Sequence, residues 1–285
     1  SKPQLQWFVD DLQATGEPVT TVDLVANSGF YEATLPKQPN NSIVRYRILV
    51  DKGAGSEVIS PRASDPLSWW AYFVTPPVNT NAPIYNLFIK KEDWTQIYDN
   101  ANWPTPDDKR VAPGGTPANR CLLRDVWDGQ VPAVFVADGI VYDTFVRYEG
   151  SRWNRTNGVG LDISKTTINP LPARPTTPTV LSWKVDFPAY APYEGKRRKM
   201  VLNKLNQACP GLDDQLGERL YGDPSVNVPV QKAKYARLHI NGGYYHYMLD
   251  IEHIDGDMMK RYRAPGERVG DLFKADGNAG AVEGP

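Results

Sequence analysis

The chain has few of the residues that build metal and redox centres: two cysteines, three histidines and four methionines. Two cysteines permit one disulfide at most, which excludes a disulfide-scaffold fold and a cysteine-rich zinc module. The histidines, His239, His246 and His253, stand seven apart. On a hairpin that spacing does not converge on one ion, so no metal site is expected. Excess charge is missing as well. Lysine and arginine total 32 against 33 acidic residues, a net charge of −1, so the chain lacks the electrostatic footprint of a nucleic-acid binder. No apolar run approaches the ~18–20 residues of a membrane span. The G-x-S-x-G, H-E-x-x-H, Walker A and C-x-x-C patterns are absent, leaving hydrolase, zinc-protease, P-loop and thioredoxin-like readings without support. Asp255-Gly256-Asp257 is too short for a calcium loop of the EF type.

What the chain does have is 25 prolines, 15 tyrosines and 8 tryptophans among 285 residues. That length allows one or two domains with a real core. The composition suits a mainly β, loop-rich, secreted protein. Ser1 is expected to lie inside a mature chain from which any targeting segment has been removed. Two sequons, Asn40-Asn41-Ser42 and Asn154-Arg155-Thr156, mark glycosylation or chance alike.

Residues 5–75 read as all-β. Strands are expected at Leu5–Val9, 29–36 and Ile43–Asp51, with Phe30 and Tyr31 on opposite faces of the second, separated by Gly/Asn/Pro clusters. The run GFYEATLPKQPNNSIVRYRILVDKGAG resembles the later strands of fibronectin-type-III or immunoglobulin-like modules, which implies a partial β-sandwich over 1–75. Residues 76–83 form a linker by composition. Beyond it, strands are expected at Ile84–Ile89, Val131–Ala137, Ile140–Tyr148, Leu181–Phe187 and Lys199–Leu202, with a helical turn or two over Lys91–Tyr98. Asp138-Gly139 is a two-residue hairpin signal. Residues 99–130 and 149–179 read as long loops. The best helix is 211–221, with Leu212, Leu216 and Leu220 on one face. Tyr235, Arg237 and His239 alternate with Ala236, Leu238 and Ile240, then Asn241-Gly242-Gly243 turns the chain into a tyrosine-rich strand, Tyr244–Ile251.

That last stretch, with the acidic Glu252-x-x-Asp255 that follows it, a Lys/Arg-bearing turn and Gly270-Asp271-Leu272-Phe273-Lys274-Ala275, resembles the CotH family of spore-coat-type secreted kinases. YNLFIKKEDW (85–94), VPAVFVADGIVYDTFVRYEGS (131–151), SWKVDF (182–187) and KMVLNK (199–204) follow in the family's order. The resemblance implies that 84–285 is a kinase-N-lobe-like antiparallel sheet with one packed helix. It also implies ATP, with magnesium or manganese, as cofactor. A secreted or coat protein would accept phosphate on Ser or Thr, outside the cell or at its surface. The family's catalytic and metal-binding aspartates lie in a helical C-lobe, expected beyond Pro285, so the chain by itself is expected to be inactive.

Phosphoryl transfer needs cations at the phosphates and a carboxylate to hold the lysine. Lys184, on a strand, is the candidate phosphate lysine and Glu218, on the 211–221 helix, its partner; the alternative is a solvated strand lysine. Arg147, Ser151 and Arg152 flank a turn that approaches phosphate in the family, although the family's Asn-Ser pair is missing. Met248, Asp250 and Glu252 would form the hinge beside adenine, and otherwise are a buried strand ending in acid. The family's helix arginine is replaced by Asp213 or Asp214. Cys121 and Cys209 are a candidate disulfide. A reading of another class is an extracellular structural or adhesive protein that uses this lobe as scaffold, with Trp69, Trp70, Trp103 and Trp153 free for sugar or protein contacts.

Overall fold

The computed structural model describes residues 2–13, 16–53, 56–101, 129–149, 180–204, 213–226, 228–263 and 266–267. The chain is mainly β. It divides into two compact units: Ser1–Asn81 with Phe135–Tyr142, and Ala82–Val134 with Asp143–Pro285.

The first unit contains β1 (Gln4–Val9), β2 (Thr20–Asp23), β3 (Val25–Asn27), β4 (Phe30–Glu32), β5 (Ile43–Asp51), β6 (Glu57–Ser60) and β7 (Trp70–Phe73). Five of these make one antiparallel sheet in the order β2-β1-β5-β6, with β7 also pairing β5. The long β5 can serve both neighbours because β7 takes Ile43–Tyr46 and β6 takes Ile48–Asp51. Alternate residues Leu5 and Trp7 of β1 meet Val44 and Leu24 in the core, flanked by Tyr46 and Tyr72. The strand expected over 29–36 shortens to β4, which pairs only with β3 as a separate ribbon.

The remaining elements are β8 (Ile84–Ile89), α1 (Lys91–Ala101), β9 (Val131–Ala137), β10 (Ile140–Glu149), β11 (Ser182–Asp186), β12 (Lys199–Lys204), α2 (Asp213–Tyr221), β13 (Ala233–Ile240), β14 (Gly243–Glu252) and α3 (Gly256–Lys260), which fall in the second unit except for Phe135–Tyr142 of the β9–β10 hairpin. The expected antiparallel sheet is present, but it closes into a barrel in the order β10-β11-β12-β14-β13-β8-β9. Closure rests on β8, which runs parallel to β13. Both hairpin turns have the two positive-φ residues of a type I′ turn: Asp138 and Gly139 at 51° and 76°, Asn241 and Gly242 at 48° and 83°. Period-two alternation sends Tyr85, Leu87, Val146, Tyr148, Trp183, Val185, Met200, Leu202, Ala236 and Leu238 into a fully buried interior. On α1, Trp94 stacks against Trp183 with ring centroids 5.4 Å apart. The expected leucine face of α2 is not buried: Leu216 is 55% and Leu220 63% exposed. Amphipathic spacing shows that a helix has an apolar side, not that a neighbour covers it.

Candidate functional site

Strand parity divides the sequence-derived site residues between two faces of the barrel wall. Arg147 of β10 stands directly opposite Lys184 of β11, which stands opposite Val201 of β12, which stands opposite Ile251 of β14. One step along, Asp186 pairs with Lys199. These positions alternate with the buried Val146, Trp183, Val185, Met200 and Leu202, so they occupy the other face. Like charges opposed across a strand pair destabilise it. Arg147 and Lys184 are such a pair, relieved in part by Glu149, whose carboxylate lies 3.3 Å from the Arg147 guanidinium. His253 directly follows Glu252, which pairs with Met200, and so continues the same face toward Lys199. Burial pushes its pKa below the usual histidine value, and Lys184 and Lys199 push the same way. Asp255, with Oδ2 3.5 Å from the His253 Nδ1, pulls the other way.

Met248 and Asp250 face inward. Asp250 is fully buried, and its carboxylate is taken up by neighbours. Tyr85 donates to Oδ2 at 2.7 Å. Arg197 binds both oxygens, at 2.8 Å and 3.2 Å, and reaches the Ile251 carbonyl at 3.4 Å. The Tyr193 hydroxyl lies 3.2 Å from that of Tyr85. Lys234, paired across from Asp250, brings its Nζ to 3.9 Å. Burial raises the Tyr85 pKa, with the Asp250 charge adding to it. This group fastens the segment around Tyr193–Arg197 to the barrel wall. Sequence reading found Asp250 but none of its partners, because they come from β8, β13 and the chain before β12.

The hinge reading of Met248–Glu252 needs a correction. β14 is paired on both sides, with β12 and with β13, so its backbone donors and acceptors are engaged in two ladders and offer no edge to adenine. The Glu252 side chain is held by Arg261 and accepts from the Lys232 amide.

The expected Lys184–Glu218 approach is also overturned. Among the described residues no ion pair joins them. Glu218 Oε2 accepts from the Gln231 amide at 2.7 Å, and α2 packs on β13. From β11 to β13 the barrel takes three strand steps, about 14 Å at the usual spacing. Glu218 instead lines a shallow pocket of ≈ 320 Å³ with Gln215, Arg219, Gln231 and Ala233.

Ser151, Arg152, Cys121, Cys209, Trp103 and Trp153 lie outside the described residues. Trp69 is engaged by Phe8, edge-on at 4.9 Å, and by the Arg47 guanidinium at 4.2 Å, whereas Trp70 is 46% exposed. Among the described residues no three His, Cys, Asp or Glu side chains gather to hold a metal ion, and no helix is long and apolar enough to cross a membrane. Of the expected phosphate-binding side chains among the described residues, Arg147 and Lys184 meet in register, on the face that also carries Lys199 and His253. No protein-family model matches the chain, and no curated protein matches it.

Proposed function

We propose that the barrel unit is the nucleotide-binding lobe of a secreted, CotH-like protein kinase that transfers the γ-phosphoryl group of ATP to Ser or Thr of an extracytoplasmic protein. The observation that carries this reading is the register of Arg147 against Lys184. Two cations opposed on neighbouring strands repel each other. A phosphate group between them would turn that repulsion into two charge-assisted hydrogen bonds. Lys184 and Arg147 would neutralise charge on the phosphates and fix their position, which is most of what a protein contributes to phosphoryl transfer. Magnesium or manganese would arrive with ATP and would supply further charge neutralisation at its phosphates. The described side chains gather no metal-binding set of their own.

Calorimetric titration of ATP into the chain tests the proposal. A charge-assisted hydrogen bond is worth about 1.5–3 kcal/mol, so Lys184→Met is expected to weaken binding by roughly tenfold or more. Binding that survives Lys184→Met within about twofold overturns it.

A second reading, an extracellular structural or adhesive protein that uses this lobe as scaffold, draws on the β3–β4 ribbon. There Val25 is 65%, Phe30 77% and Tyr31 59% exposed, so the ribbon presents apolar side chains to solvent on both faces. Failure of the intact chain to bind ATP would favour it.

A further inference from the structure

We infer that His253 belongs to the same anion site and that binding of a phosphate-type anion there is coupled to uptake of a proton by its imidazole. The inference rests on the nucleotide reading above. Its basis is the arrangement of charge on one face of the barrel. By strand register Lys199 of β12 and, one strand further on, Lys184 of β11 share the face of His253, and Asp255 from the turn before α3 stands beside its ring; all three act on its charge. Around His253, Lys184 and Lys199 stand against Asp255. Protonation of His253 adds one positive charge to that group.

The geometry around the ring supports proton uptake. Nδ1 is shielded from solvent and has no hydrogen-bond partner, yet it lies 3.5 Å from the Asp255 carboxylate. Asp255 is held in place by capping α3, accepting from the amides of Asp257 and Met258. With Nδ1 turned to Asp255, Nε2 is the nitrogen left for a ligand, and imidazolium alone can donate from both. Without an anion, burial and the two lysines keep the ring neutral. A phosphate anion seated against Lys184 screens the lysine charge and adds its own negative field. Protonation then becomes favourable.

The probe is ATP, and the direct readout is the His253 pKa followed by NMR of the histidine ring protons in the full chain. The chain has three histidines, and His253→Gln assigns the signal. At saturating ATP the His253 pKa is expected to rise by about 1, equivalent to roughly tenfold tighter ATP binding on the acid side of its titration. His253→Gln is expected to lose that part of the pH dependence while keeping the part due to ATP's own terminal phosphate. In the free protein, Lys184→Met is expected to raise the His253 pKa, because one of the repelling cations is gone. If ATP binds in a Lys184-dependent way and the His253 pKa does not move, the proton coupling is refuted and the nucleotide reading stands. If ATP does not bind at all, the nucleotide reading fails and this inference with it.

Discussion

Removing the Asp250 carboxylate tests the account of the barrel wall most sharply. Asp250 has no solvent exposure and Arg197 is only 20% exposed at its side chain. Two hydrogen bonds join them, and a third comes from Tyr85. Asp250→Ala leaves a largely buried guanidinium without its counter-charge and a buried phenol without its acceptor. Breaking one side of a buried pair destabilises by about 3–5 kcal/mol, a large share of the ~5–15 kcal/mol that holds a typical domain folded. Arg197→Met is expected to fall in the same range, since it strands the buried carboxylate. The double variant Asp250→Ala/Arg197→Met removes both charges, and by the same reasoning is expected to cost less than the two single changes added together. Tyr85→Phe removes one charge-assisted bond and is expected to cost about 1.5–3 kcal/mol. The assay is urea denaturation followed by tryptophan fluorescence, with the buried Trp94–Trp183 stack reporting on the barrel. A loss below about 1 kcal/mol for Asp250→Ala, or strict additivity in the double variant, would refute the claim that this pair is desolvated and coupled.

Asn241 gives a second test: its side chain accepts from the Ile89 amide at 2.9 Å and donates to the Ile89 carbonyl at 3.1 Å. Asn241→Ala leaves both backbone groups unpaired in the interior and is expected to cost about 2–4 kcal/mol in the same assay, against roughly 1–3 for each orphaned group. Alkaline pH gives a third. Burial raises the pKa of Tyr85 and of Tyr245 above the ordinary 10.0, so the folded state holds these phenolic protons more tightly than the unfolded one. Their contribution is complete below about pH 10 and is lost as pH rises above it. Denaturation midpoints are therefore expected to fall between about pH 9.5 and 11.5, with phenolate absorbance from these two tyrosines rising only on unfolding. A flat profile in Tyr85→Phe and wild type alike would contradict it.

Much of the local structure was legible because it is written in adjacent residues. Asp138-Gly139 and Asn241-Gly242 specify their turns, since positive φ at two consecutive positions is tolerated by few residue pairs. Alternation along β13 separates Ala236, Leu238 and Ile240, all buried, from Tyr235 and Arg237. The α2 leucines show the limit of the same reasoning: their spacing is helical, but Leu216 and Leu220 are exposed.

Sequence alone determined the β-rich class, the hairpins and the strand carrying Lys184, because backbone preference and period-two patterning act between near neighbours. Tertiary structure decided which strands adjoin. It set β8 against β13, separated in the chain by nearly the whole barrel, and thereby closed the sheet and put Tyr85 within 2.7 Å of Asp250. It kept Glu218 away from Lys184 by seating α2 on β13. It put Arg147 opposite Lys184 and brought His253 to their face. Those choices depend on the register and closure of the whole barrel, where each contact is favourable only once the others have formed. No window of sequence contains them.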